Sequence, residues 1–209
     1  MQKKTILFIG GGKEAIPGIK CAKKIGYKTI VSDMSIEAPG KKYADYFIKA
    51  STYDHNITVK KAIFFNEKIK KINGVMSLSA DVPYTVASVA KKLKLKSISL
   101  RTAKIFSNKY LMKKKFKELG ISIPKFHLIK NFKNLENKID KYKTSIIKPV
   151  DSRGARGVYI LDKNNLKSLY NKSIKYSLSK KLILEEFLNG PQLSTETIIL
   201  KGRAYTVGV

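Results

Sequence analysis

Lys148 closes the apolar segment "TSIIKPV", and "DSRGARGV" then sets two arginines among glycines. These residue types in this order suit an anion. Gly154 and Gly157 let backbone N–H groups turn toward an oxyanion without a side chain in the way. Lys148 offers a point charge from a rigid strand, and Pro149 fixes the exit from that strand. The lysine precedes the glycines, so this is not the G-x-x-x-x-G-K-[ST] loop. Alone, the stretch reads as a β-hairpin with exposed arginines. It has company, however. Lys109 lies upstream in "SNKYLMKK", and "LILEEFLNGPQ" follows downstream. An apolar strand that ends in two carboxylates and meets Asn-Gly-Pro makes a hinge. A planar base can lie against such a segment and hydrogen-bond its backbone edge, while a nearby polar side chain takes ribose hydroxyls.

A second glycine cluster offers a rival chemistry. "GGGKEA" fits G-x-G-x-x-A with Gly10, Gly12 and Ala15, directly after a strand and at the start of a helix. Asp33 ends the next strand, where a ribose-binding acid of a nicotinamide-dependent enzyme would sit. Pro17 and the extra Gly11 make the turn atypical. His55 and His127 have no neighbours with metal-ligand spacing, and no metal-ligand set is assigned.

The elements that must hold these groups fall into two sets. Residues 5–9, "KTIVSD", "ADYFIKAS", "GVMSLS" and "KSISL" read as five strands alternating with helices, one from Pro17 to Ile25, closed by Gly26, one over 57–72 and one opened by Pro83. In the second, Val59, Ile63, Ile69 and Ile72 lie near one face. That alternation predicts an α/β, doubly wound parallel sheet over 1–100. Over 101–209 the pattern changes to α+β. It predicts a lysine-rich helix over 104–119 with Ile105, Met112, Phe116 and Leu119 on its apolar side. An extended "ISIPKFHLI", a helix over 133–142, the strand–loop–strand around Lys148, a helix over 164–176 and the strand "KLILEEFL" follow. A hairpin across Lys201-Gly202 closes the chain.

Composition removes several function classes. The net charge is +28, but only Arg101, Arg153, Arg156 and Arg203 are arginine, and the lysines are spread along the whole chain. Nucleic-acid readers favour arginine forks concentrated on one face, so no specific nucleic acid is expected. No apolar run approaches the roughly 18 residues of a membrane span. The start, "MQKKTILFIGGG", lacks a signal-peptide h-region, and a cytoplasmic protein without a membrane partner is expected. The single cysteine, Cys21, excludes a disulfide within the chain and is expected to be a small buried residue.

The sequence resembles the ATP-grasp ligases, in the branch similar to the synthetase halves of carbamoyl phosphate synthetase and related carboxylate–amine ligases. The segment from "ILFIGGGKEA" to "KASTYD" resembles the domain that precedes the grasp, and "SNKYLMKKKFKELGISIPK" the helix that enters it. "IIKPVDSRGARGV" is similar to the family's lysine and glycine-rich phosphate loop, and "LILEEFLNGPQLSTE" to its adenine hinge, here about 185–192. The resemblance implies ATP, with Lys109 and Lys148 on its phosphates. Ser152, Arg153, Gly154, Ala155, Arg156 and Gly157 would form a mobile flap over them. Glu185 would accept from the adenine amino group, and Glu186, Phe187 and Leu188 would present backbone to the adenine edge. Gln192 falls where many members place a glutamate on the ribose. Gly10, Gly11 and Gly12 would serve the acceptor substrate. Glu196 shares a strand face with Ile198 and Leu200, either partly buried and serving that substrate or simply on an edge. The implied partners are a small-molecule carboxylate and an amine.

One departure stands out. The family's Mg2+-binding acidic residues lie further along, and here no acidic residue follows Glu196. The expectation is the front portion of a longer ligase, residues 101–209 being the first part of its grasp domain; the alternative is an inactive nucleotide-binding relic.

Overall fold

The computed structural model describes residues 3–209; Met1 and Gln2, the first residues of the basic start, lie outside them. Thr5–Ile9 forms β1, followed by helix α1 (Ile16–Lys24), β2 (Lys28–Asp33), β3 (Tyr46–Lys49), α2 (His55–Lys68), β4 (Gly74–Met76) and α3 (Pro83–Lys92). The strands pair in parallel in the order β3-β2-β1-β4. Alternation along β1 and β2 divides the core. Leu7, Ile9 and Ile30 pack with Ala62 and Phe65 of α2 and Val89 of α3. Phe8 and Val31 pack on the opposite face with Ala15 and with Ile19 and Ala22 of α1. Helices on both faces are what a buried parallel sheet requires.

Four expectations for this part are corrected. "KSISL" is not a fifth strand: Ser99 instead caps the next helix, its side chain accepting from the Thr102 N–H. The second helix ends at Lys68, and it buries Thr58, Ala62 and Phe65 rather than a stripe through Ile63 and Ile69. Ile69 is exposed, while Ile72 lies in the core beyond the helix end. Cys21 is exposed, because it lies about 200° around the helix from buried Ile19 at 100° per residue.

Asp45 ties β3 to β2. It accepts from Lys28 Nζ at 2.8 Å and from the Thr29 N–H and hydroxyl at 2.9 and 3.0 Å. Burial opposes the Asp45 charge most strongly, but Lys28, Thr29 and Lys23 together outweigh it and hold the carboxyl at about 2, below the ordinary 3.8. A depressed folded-state value means stability that is present above the unfolded value and lost as pH falls through the folded one. Acid titration of the melting temperature should therefore show a loss between about pH 4 and pH 2 that Asp45→Asn removes.

Beyond α3 run α4 (Leu100–Phe106), α5 (Lys109–Glu118), β5 (Phe126–Ile129), α6 (Phe132–Glu136), β6 (Ser145–Pro149), β7 (Tyr159–Ile160), α7 (Leu166–Ile174) and β8 (Leu182–Glu186). The expected helix over 104–119 is two helices. Asn108 takes extended backbone and caps α5 by accepting from the Leu111 N–H. No residue of α5 is fully buried, and Leu119 is exposed. The helix expected over 133–142 stops at Glu136, with one 3-10 turn at Ile139–Lys141. The four strands form an antiparallel sheet in the order β5-β8-β6-β7. Its inner face, with Ile129, Ile147, Leu182 and Leu184, packs on α6 and α7. The other face carries Ile146, Lys148, Ile183 and Glu185, set by the register Ile146↔Glu185 and Lys148↔Ile183. Strands β9 (Glu196–Leu200) and β10 (Arg203–Gly208) form the predicted hairpin, with Lys201 and Gly202 at φ 50° and 79°, as a type I′ turn needs. No helix among the described residues is long and apolar enough to cross a membrane.

Candidate functional site

The antiparallel register puts Lys148 and Glu185 diagonally on one face of adjacent strands. Lys148 Nζ donates to Glu185 Oε2 at 2.7 Å. Glu185 is 2% exposed and Lys148 25%. A carboxylate so deeply buried demands a cation, and a strand that ends in a lysine supplies one.

Helix α5 brings the remaining cations. Its first residue, Lys109, is fixed by its N–H donating to the Val150 carbonyl at 2.8 Å, while its Nζ donates to the Ser152 carbonyl. Burial chiefly, and Lys148 and Arg153 nearby, push the Lys109 ammonium below its usual range, with Asp81 and Asp151 opposing. One turn later Lys113 Nζ lies 3.6 Å from Glu185 Oε1, its side chain 13% exposed. Residues i and i+4 share a helix face, so both lysines point at the sheet. Lys113 escaped the sequence reading; its only signal was that four-residue spacing, hidden in a run of lysines.

The loop after β6 covers this cluster. Gly154, Ala155 and Gly157 take φ of 62°, 56° and 75°. The loop is held at both ends. Asp151 accepts from the Ser177 hydroxyl and the Ser179 N–H, each at 2.8 Å; burial opposes its charge, but these bonds outweigh it and lower its pKa. Gly157 is pinned where its carbonyl accepts from the Ser173 hydroxyl at 2.7 Å. Between them, Gly154, Ala155 and Arg156 are exposed. Arg153 reaches the parallel-sheet side, with Nε 3.5 Å from Asp81 Oδ2 and its guanidinium 5.3 Å above the Tyr53 ring. A cavity of about 310 Å³ opens there, lined by Tyr53, Tyr84, Lys104, Ser107 and Arg153 among others.

At the hinge, the Glu186 N–H donates to the Lys125 carbonyl and the Phe187 N–H to the Thr144 carbonyl. The Leu188 N–H has no such partner among the described residues. Phe187 and Leu188 are exposed. The structure thus gathers Lys109, Lys148, Ser152, Arg153 and Glu185. It does not gather Gln192, on the exposed connector, or Glu196, which is exposed on β9, the edge reading of the two. A two-stranded hairpin with both faces in solvent gives Glu196 nothing to be buried against.

The first glycine cluster is otherwise engaged. The Gly10 N–H donates to the Ser32 carbonyl at 2.8 Å. Gly11 N–H donates to Asp33 Oδ2 at 2.8 Å, and Gly12 N–H to Ser79 Oγ at 3.2 Å. The other Asp33 oxygen accepts from the Ser35 N–H at 2.9 Å. The amides and carboxylate that a dinucleotide would need already bond within the protein. His55 packs edge-on to Tyr84 and His127 stacks on Tyr142. Among the described residues no three His, Cys, Asp or Glu side chains could hold a metal ion.

Residues 106–209 match the model of the ATP-grasp domain. The chain is 27% identical, over 64% of its length and 44% of the relative's, to the D-alanine–D-alanine ligase of Wolbachia pipientis. Its fold is that of the L-amino acid ligase from Bacillus licheniformis, at a TM-score of 0.76 and 19% identity, over 99% of this chain and 50% of that one. It also superposes on carboxyaminoimidazole ribonucleotide synthase from Aspergillus clavatus complexed with ATP, at a TM-score of 0.74 and 14% identity, over 98% and 52%. The chain spans about half the length of these relatives.

Proposed function

Residues 106–209 belong to the ATP-grasp domain family, and we propose that the chain is the ATP-binding portion of an ATP-dependent carboxylate–amine ligase working through an acyl phosphate in the cytoplasm. One observation carries this reading: two lysines and a buried glutamate from three separate elements converge beneath a loop of left-handed residues. Lys109 and Lys148 would neutralise phosphate oxygens, and the amides around Gly154 would close on them. Glu185 would accept from the 6-amino group of adenine, with the free Leu188 N–H on the ring edge. The site contains no activated nucleophile, which suits phosphoryl transfer. There the protein's work is to position groups and neutralise charge.

The carboxylate and amine substrates would lie toward the C-terminal ends of β1 and β4, where open α/β sheets take ligands. The cavity beside Arg153 and Lys104 has the charge for a carboxylate. Gly10–Gly12 do not line that cavity, and their amides are already bonded within the protein. Calorimetric titration with ATP tests the reading: binding is expected in the wild type and is expected to collapse in Lys148→Ala. Binding that is indifferent to Lys148 would refute it.

A further inference from the structure

We propose that Lys113 sets the preference for a 6-amino purine by holding Glu185 in place when Lys148 turns to the phosphates. The inference rests on the nucleotide reading above and goes beyond it. Glu185 is 2% exposed and has two cations, Lys148 on Oε2 at 2.7 Å and Lys113 on Oε1 at 3.6 Å. Oε1 is buried and accepts no hydrogen bond, so it is the oxygen left over for a ligand's N–H donor.

The two cations have different prospects. Lys148 stands beside the glycine loop and is the more exposed of the two. A phosphate arriving there competes with Glu185 for its ammonium. Lys113 lies one turn further along α5 than Lys109, away from the loop, with its side chain 13% exposed and its ammonium against Glu185. A carboxylate abandoned by Lys148 would still face the Lys113 charge. It would keep its aim at the 6-position. Without Lys113, each phosphate contact made by Lys148 would strip Glu185 of its last cation. The groups around Glu185 are therefore Lys148 from β6 and Lys113 from α5, with Lys109 behind Lys148; across β5 it meets only Phe126.

The test removes the amino group from the ligand and the cation from the protein in turn. Calorimetry measures affinities of wild type, Lys113→Met and Lys113→Arg for ATP and for purine riboside triphosphate, which lacks the 6-amino group. Wild type is expected to prefer ATP by about tenfold or more, the worth of a charge-assisted hydrogen bond. Lys113→Met should lose that preference by weakening ATP alone, with the amino-free nucleotide bound within about twofold of wild type. Lys113→Arg, which keeps the cation, should keep the preference. Equal weakening of both nucleotides by Lys113→Met means a merely structural role and overturns the inference, as does an unchanged preference. Loss of the preference in Lys113→Arg to the same extent as in Met also overturns it. Wild type that binds neither nucleotide would instead sink the nucleotide reading itself.

Discussion

Lys148→Ala is expected to weaken ATP binding by about a hundredfold and to lower the melting temperature by about 5 °C. The first effect follows from removing a phosphate cation fixed on a strand; charge-assisted contacts of this kind are worth about 1.5–3 kcal/mol. The second follows from Glu185, which is 2% exposed and loses its partner at 2.7 Å. Breaking a buried pair costs about 3–5 kcal/mol when nothing replaces the lost charge. Lys113 remains 3.6 Å away, so about 2 kcal/mol is the better expectation, and at this chain length that is several degrees. The two effects separate in a double variant. Lys148→Met with Glu185→Gln removes the 2.7 Å pair but leaves the Lys113 ammonium without its counterion, so it should recover part of the lost stability while still failing to bind ATP. Urea unfolding and calorimetry read the two quantities independently. ATP affinity in Lys148→Ala within threefold of wild type would remove Lys148 from the site.

That separation also marks what the sequence could and could not convey. Apolar, β-branched runs such as "TILFI" and "KTIVSD" announced buried strands, because few other structures bury every side chain in a row. The order of lysine, glycine loop and paired glutamates drew attention to the cluster around Glu185, because each is an unusual residue for its element. What was hidden depended on three dimensions or on abundance. The break between α4 and α5 rests on one Asn108 cap, and the lysine-rich periodicity runs straight through it. "KSISL" has strand composition, but Ser99 found a helix N-terminus to cap instead. Lys113 was lost among neighbours of its own kind, since in this chain a lysine is the default surface residue. The Arg153–Asp81 pair joins segments that no local pattern connects. Nor does spacing reveal that the Gly10–Gly12 amides turn inward to Ser32, Asp33 and Ser79.

The glycines of the loop are expected to respond unequally, Gly157→Ala losing about 3 kcal/mol and Gly154→Ala about 1. Both have positive φ, 75° and 62°, so both variants bear the left-handed penalty of about 1–2 kcal/mol. They differ in what a Cβ would meet. At Gly157 it would come within 2.9 Å of Pro149 Cγ and 3.0 Å of Tyr176 Cδ2. Pro149 is a ring within β6 and cannot yield, and Gly157 itself is pinned by Ser173 and cannot retreat from it. At Gly154 a Cβ would meet nothing within 4 Å, and Ala155 already adopts φ 56° beside it. The loop thus has a rigid root and a free tip. Gly157→Ala should shift the unfolding midpoint strongly and displace the whole loop, lowering ATP affinity as a consequence. Gly154→Ala should move the midpoint far less, by the left-handed penalty alone, yet still weaken ATP, by stiffening the residues that close on the phosphates. Equal midpoints for the two variants in urea would mean that the Pro149 and Tyr176 contacts do not hold the root. The loop would then be mobile along its whole length rather than hinged at Gly157.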